Sequence, residues 1–216
     1  MKIPLTKNPE MGLTMVEVMV ALLVMLMLTV IVLPMFSKAK SRSSMVDCAS
    51  NLKQAGLSFR LFAEDNGDKY PAEVLFSNNT EYLCMEAALT EKIWARMSNG
   101  LPSTKVLVCP EDVRKAARDF ATLHATNISY FASVDASMNY PQVIESGDRN
   151  LQFDGKDLKP GLFTLYTNSS MAWSGKIHRN AGNVALSDGS VQIVSQTQLQ
   201  GIIMRQGLTT NRLAFP

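Results

Sequence analysis

Histidine and cysteine are scarce in this 216-residue chain, with two of the first and three of the second. Cys48, Cys84 and Cys109 show no Cys-x-x-Cys pair and no metal-finger spacing, so no zinc module is written in the pattern. Neither a His-Glu-x-x-His helix, a Gly-x-Ser-x-Gly elbow nor a phosphate-binding glycine loop is present. With no nucleophile–base constellation, the sequence makes no case for an enzyme. An excess of one charge is missing too. Lys and Arg number 21 against 19 Asp and Glu, a formal net charge of +2. The charges are mixed in sign with no long basic run, which gives no footprint for nucleic acid. Internal repeats and low-complexity linkers are absent as well, so the chain has room for one modest domain.

What the chain does have is one apolar run, Leu13 to Leu33, whose only charge is Glu17. As a helix it would cross a bilayer, because about 20 apolar residues at 1.5 Å rise span a core roughly 30 Å thick. A carboxylate inside such a run costs about 2.5–3.5 kcal/mol near the centre and needs a use or a partner. The amine at the start of another copy of the same chain would serve. A secretory signal peptide is the first competing reading, but its apolar core is only 7–15 residues long and is followed by a small-x-small cut site. Here the run is longer, and Pro34-Met35-Phe36-Ser37-Lys38-Ala39 follows it. A plain signal anchor is the second, and it leaves the intramembrane acid unexplained. Lys38, Lys40 and Arg42 after the run balance Lys2 and Lys7 before it, so flanking charge does not orient the span.

Gly12-Leu13-Thr14-Met15-Val16-Glu17-Val18 resembles the processing site of type IV pilins and type II secretion pseudopilins. The resemblance implies that a prepilin peptidase cuts between Gly12 and Leu13 on the cytoplasmic side and then methylates the Leu13 amine. Leu13 stands where phenylalanine is commonest. Glu17 becomes the fifth residue of the mature chain, the acid used in filament assembly. Pro34 falls where many pilins also carry a proline, and a bend or local melting is expected there.

The helix should continue past the membrane. Met45, Cys48, Leu52, Ala55, Phe59 and Phe62 are spaced by three and four and make one stripe, with Ser43, Asp47, Ser50 and Gln54 opposite. Leu57 and Leu61 fall away from the stripe. Asn66-Gly67 and then Pro71 stop the helix. From Leu13 to Asp65 it would be about 80 Å long. Beyond it, a helix is expected over Glu81–Met97, capped by Asn79 or Thr80. A strand is expected over Lys105–Cys109 and a short helix over Glu111–Phe120. Strands are expected over Ile128–Val134 and Leu162–Thr167, and a terminal helix over Thr197–Arg205. Met138–Glu145 contains Pro141 and reads as an edge strand at best. Asp188-Gly189 between two apolar runs predicts a hairpin over 183–194 with a two-residue type I′ turn, pairing Leu186 with Val191 and Val184 with Ile193.

His178, nine residues and then Asp188-Gly189 resembles the H-x9-DG signature of a bacterial subgroup of pilin-like proteins. Other recurring segments of that subgroup are matched by Cys48-Ala49-Ser50-Asn51-Leu52-Lys53-Gln54, Asp65-Asn66-Gly67-Asp68-Lys69-Tyr70-Pro71, Val108-Cys109-Pro110-Glu111-Asp112 and Gly147-Asp148-Arg149-Asn150. In an exported domain two of the three cysteines can join, leaving one free, and Cys48 with Cys109 is the candidate pair; the alternative is three small core residues. His178 and Asp188 are weighed as a His–carboxylate pair, against a structural role for His178. Calcium is weighed at Glu64, Asp65, Asn66 and Asp68, or at Asp148, Asp154 and Asp157. Neither group fits the EF-hand pattern, so no metal and no cofactor is assigned.

The expected fold is therefore α+β and pilin-like. Residues 1–12 form a leader, residues 13–65 a long helix with a transmembrane first half (13–33), and residues 66–216 an exported head with a small antiparallel sheet. The expected function is a structural filament subunit held in a bacterial inner membrane, its head in the periplasm. Its partners are prepilin peptidase, other copies, minor pilins or pseudopilins and the inner-membrane assembly machinery. The alternative is a single-pass anchored, ligand-binding module that never polymerises.

Overall fold

In the computed structural model, residue 12, residues 14–78 and residues 88–216 are described, the side chains of 34–39 and 78 excepted. The chain divides into two compact units, Met1–Lys40 and Ser41–Pro216. The fold is α+β, with an apolar N-terminal helix and antiparallel sheet. Helix α1 (Met15–Asp65) contributes its apolar first part to one unit and its last 25 residues, from Ser41, to the other. The second unit then adds α2 (Pro71–Asn78), α3 (Leu89–Arg96), β1 (Tyr130–Ser133), β2 (Ile144–Asp148), β3 (Leu151–Phe153), β4 (Lys156–Asp157), β5 (Gly161–Tyr166), β6 (Met171–Trp173), β7 (Ala181–Leu186), β8 (Val191–Ser195), α4 (Gln196–Arg205) and β9 (Thr210–Phe215). Among the described residues, six strands form one sheet in the order β5-β9-β1-β2-β7-β8, and β4-β3-β6 form a second.

The stripe on the C-terminal part of α1 is the centre of one core. Cys48, Leu52, Ala55 and Phe59 are completely buried, and burying a large apolar side chain of this kind contributes about 1.5–3 kcal/mol. Met45 and Phe62 are half-buried, and Ser43, Asp47 and Ser50 face out. Leu57 and Leu61 are exposed, as their spacing requires. Phe59 meets the rings of Tyr70 and Trp94 at 5.6 and 5.5 Å. Gly67 ends the helix with φ +65°, a left-handed conformation that suits glycine. Pro71, read above as a stop, is also the first residue of α2, where its missing N–H leaves no helical bond unmade.

The large sheet is covered on both faces. Tyr130 and Ala132 of β1 join the core under α1, whereas Phe131 between them joins a second core with Leu151, Trp173, Leu199 and Ile202. This double burial corrects the expected hairpin register. Leu186 N donates to Ser190 O at 2.9 Å, and Gly189 N to Leu186 O at 2.8 Å. The loop is thus three residues, Ser187-Asp188-Gly189, closed by Gly189 at φ +76°, one of the two commonest ways to turn a hairpin. Val184 faces Gln192, and Ala185 faces Val191. Alternation selects a register only where one face is buried. In β7 both are, since Val184 and Leu186 enter one core and Ala185 the other.

Three further expectations are corrected. Lys105–Cys109 is not a strand: Thr104–Leu107 is a 3₁₀ turn whose amides bond locally, Val106 N to Ser103 O and Val108 N to Lys105 O. Short apolar runs do not reveal their period. Glu111–Phe120 forms no helix, because its side chains are taken by distant partners. Arg114 donates to the carbonyls of Ala125, Ile128 and Pro216, and Asp112 accepts from Arg149. Pro141 lies in the turn before β2, and β2 is an interior strand between β1 and β7 rather than an edge. Of the helix expected over Glu81–Met97, α3 supplies the end; Asn79, Thr80 and Cys84 lie outside the described residues. The expected terminal helix is α4, and β1 and β5 lie within a residue or two of their expected places.

Candidate functional site

Two regions carry the residues singled out from the sequence. The first is the start of α1. Thr14 N and Thr14 Oγ1 donate to Glu17 Oε2 at 2.8 and 2.9 Å, and Glu17 N donates back to Thr14 Oγ1 at 3.3 Å. This is a capping box, in which a helix-opening Thr and the acid three residues on satisfy each other's orphan groups. The Thr-x-x-Glu spacing was a legible signal for it. The 19 residues Met15–Leu33 are long and apolar enough to cross a membrane, and none is buried within the chain. Gly12 is exposed, with nothing within 4 Å of where a Cβ would stand; Leu13 lies outside the described residues. The helix runs on through Pro34 without a break, so the local melting expected there is not found.

The second region is in the Ser41–Pro216 unit, where segments far apart in sequence converge. Cys48 on α1 and Cys109 after the 3₁₀ turn form a disulfide, with S–S 2.13 Å and Cα–Cα 5.2 Å. Asn51, one turn on from Cys48, donates to Val108 O at 3.2 Å. The His178 ring, fully buried, completes the cluster. Its Nδ1 lies 2.8 Å from Glu111 Oε2, and its Nε2 lies 3.2 Å from Cys109 Sγ and 3.5 Å from Asp148 Oδ2. The Glu111 carboxylate accepts a hydrogen bond from Nδ1–H, so that atom is the N–H and Nε2 carries the lone pair. Beside the ring, Asp148 Oδ2 accepts from Asn183 N and Nδ2 at 2.6 and 3.0 Å, and Asn183 Nδ2 also reaches Met45 O on α1. Next along the chain, Arg149 grips Asp112 with two bonds of 2.7 Å, and Ser129 Oγ donates to the same carboxylate.

A strained turn delivers the imidazole. His178, Arg179 and Asn180 all have positive φ, at 56°, 49° and 64°. Such conformations cost L-residues roughly 1–2 kcal/mol each and persist only where surroundings enforce them. Asn150 supplies the enforcement: its buried Nδ2 lies within 3.1 Å of the carbonyls of Ser174, Ile177 and Ala181, on both sides of the turn.

The electrostatics follow from burial. Asp148 is pushed up to about 7, chiefly by desolvation and against the two bonds from Asn183. Burial lowers His178 despite the opposing pull of Glu111. Burial raises Asp112, but its bonds from Arg149 and Ser129 outweigh that and leave it below the usual carboxylate range. Asp188 takes no part here. It sits at the β7–β8 tip, its Oδ1 accepting from Ser190 N at 2.8 Å. That tip is a second point of attachment to α1: Lys53 Nζ donates to Gly189 O at 2.5 Å, and Arg60 and Tyr70 donate to Ser187 O. The His–carboxylate contacts are therefore to Glu111 and Asp148. Of the second group weighed for calcium, Asp148 is buried in the His178 cluster whereas Asp157 pairs with Lys176 at the surface, so these two do not come together.

Sequence reading marked Cys48, Cys109, His178 and the Asp-Gly tip but missed Glu111, Asn150 and Asn183 as working residues. Each sat inside or near a marked segment, yet its partners lie 24 to 138 positions away along the chain. What the cluster does chemically is fasten. It joins α1, the 109–112 loop, β2 and the turn before β7 through one covalent bond and a buried polar network. No protein-family model, no curated protein and no solved structure matches this chain.

Proposed function

We propose that this chain is a membrane-held, prepilin-like filament subunit with a pilin-like fold, cut after Gly12 by prepilin peptidase and assembled into a type IV pilus or a type II secretion pseudopilus. The observation that carries the reading is the helix Met15–Leu33, wholly exposed and bearing one acid near its start, directly behind Gly12. A single such helix is also what a plain anchor would have. Glu17 is what favours the fibre over the anchor, because an anchor gains from it only the helix cap with Thr14, against a cost of kilocalories for a charge in lipid. In a fibre, the helix exchanges lipid for close-packed copies of itself. There Glu17 would face the Leu13 amine of a neighbour, and either charge left alone would be costly, so the pair sets register. Thr14 satisfies part of the same carboxylate meanwhile.

The clasp in the head fits this role. A subunit in a fibre carries load from its helix to its head, and a covalent bond between α1 and the 109–112 loop keeps the two from sliding. Prepilin peptidase, sister copies, minor pilins or pseudopilins and the inner-membrane assembly machinery are the partners of this reading, which places the head in the periplasm. The test is in the producing cell. Mass measurement of the purified chain should show an N-terminus at Leu13, carrying a methyl group. Glu17→Ala and Glu17→Val should yield a cut, membrane-resident chain that is absent from sheared fibres. Retention of Met1, or normal incorporation of either variant, overturns the proposal and leaves the anchored binding module.

A further inference from the structure

We propose that, before the disulfide forms, Cys48, Cys109, Asp148 and His178 bind one Zn²⁺ ion as a closed structural site. One ligand atom from each residue lies within 4.8 Å of all the others, and all four residues are buried. Two thiolates, an imidazole and a carboxylate are a set that zinc takes in four-coordinate tetrahedral form, and the soft sulfurs disfavour calcium or magnesium. The surroundings are already those of a metal-binding histidine. Glu111 holds the Nδ1 proton, which fixes the tautomer and aims the Nε2 lone pair into the cluster. There Nε2 faces a sulfur and a carboxylate oxygen, both electron-rich. Asp148 is a second, independent pointer to a cation ligand: it is completely buried, and its Oδ1 has no hydrogen-bond partner.

Binding releases two protons, one from each thiol, as zinc takes the two thiolates. A small-molecule or protein disulfide, acting as oxidant, then removes two electrons. The Cys48–Cys109 bond forms, the oxidant is reduced to two thiols with uptake of two protons, and Zn²⁺ leaves. The ion thus holds α1 against the 109–112 loop until the covalent bond replaces it. This inference stands apart from the filament proposal, since it concerns the Ser41–Pro216 unit alone.

The test uses the full chain in detergent micelles with Cys84→Ser, reduced by a phosphine, stripped of metal and kept free of oxygen. Titrated Co²⁺ should bind one equivalent, giving the visible bands of tetrahedral cobalt and near-ultraviolet sulfur-to-cobalt charge transfer, and Zn²⁺ should displace it. X-ray absorption at the zinc edge should find two sulfur and two nitrogen or oxygen ligands, a readout that needs no ligand variant. Oxidation by diamide should release one zinc per disulfide formed. Cys109→Ser should abolish the charge transfer, and Asp148→Asn should weaken binding at least tenfold. A coordination shell without sulfur, zinc retained after oxidation, or no stoichiometric binding overturns the site. So does a reduced chain that loses its near-ultraviolet circular dichroism and does not recover it with zinc.

Discussion

Removing the Cys48–Cys109 bond should destabilise the head strongly while leaving its charge untouched. The bond closes a loop across a sequence separation of 61. Loop-closure entropy of that size corresponds to about 4 kcal/mol at 25 °C. For a domain of roughly 175 residues, each kcal/mol moves the melting temperature by about 2–4 °C, so a fall of about 8–16 °C is expected. Both cysteines are completely buried, so alanine is the better replacement, since serine would bury two new hydroxyls. The comparison is between Cys84→Ser and Cys48→Ala/Cys109→Ala/Cys84→Ser, full length in the same detergent with a chelator present. Calorimetry or near-ultraviolet circular dichroism follows the head, and peptide mapping without reductant identifies the bond. A fall of less than about 3 °C would refute the claim that this cross-link restrains the unfolded chain. Mapping that joins Cys84 to either partner would refute the pairing itself.

Other outcomes follow from single contacts. A Cβ on Gly182 would stand 2.5–2.7 Å from the Trp173 ring, so Gly182→Ala should cost about 1–3 kcal/mol by overpacking, measured by denaturant titration. Asn150→Ala frees three carbonyls that hold the left-handed turn; a loss of about 2–3 kcal/mol and faster amide exchange over 174–181 are expected, and unchanged exchange would sink the clasp. Glu145 is the extra residue of a bulge in β2, completely buried beside Gly56, and neither of its oxygens has a partner. Burial, with Asp188 adding to it, holds its carboxyl well above the usual 4.5 against the pull of Arg60 and Tyr70. The folded state therefore keeps a proton that the unfolded chain releases. The stability due to this group is full below pH 4.5 and falls as pH rises beyond it. Glu145→Gln should be more stable relative to wild type at pH 7 than at pH 4, and an identical pH slope in both proteins would reject this.

Much of the long helix could be read from the residues because its determinants are local. An apolar run, a three-and-four stripe and the Asn66-Gly67 stop are properties of neighbours along the chain. The same holds for α4 and for the existence of the β7–β8 hairpin. The register of that hairpin could not be read, since the rule used for it assumes one wet face and β7 has none. The run at Lys105–Cys109 failed for a related reason: five residues are too few to show a period.

The clasp divides in the same way. Cys48, Cys109 and His178 were visible as candidates; the roles of Glu111, Asn150 and Asn183, and which side chains would touch, were not. By itself the sequence determined an apolar, acid-bearing helix, its amphipathic continuation, and the turns at Asn66-Gly67 and Asp188-Gly189. Only the tertiary structure decided that His178 meets Glu111 and Asp148 rather than Asp188, that Cys109 meets Cys48, and that a left-handed turn pinned by Asn150 brings the imidazole there. Helices and turns are set by bonds a few residues long, whereas a buried polar cluster forms only where packed elements exclude water and force distant side chains to satisfy one another.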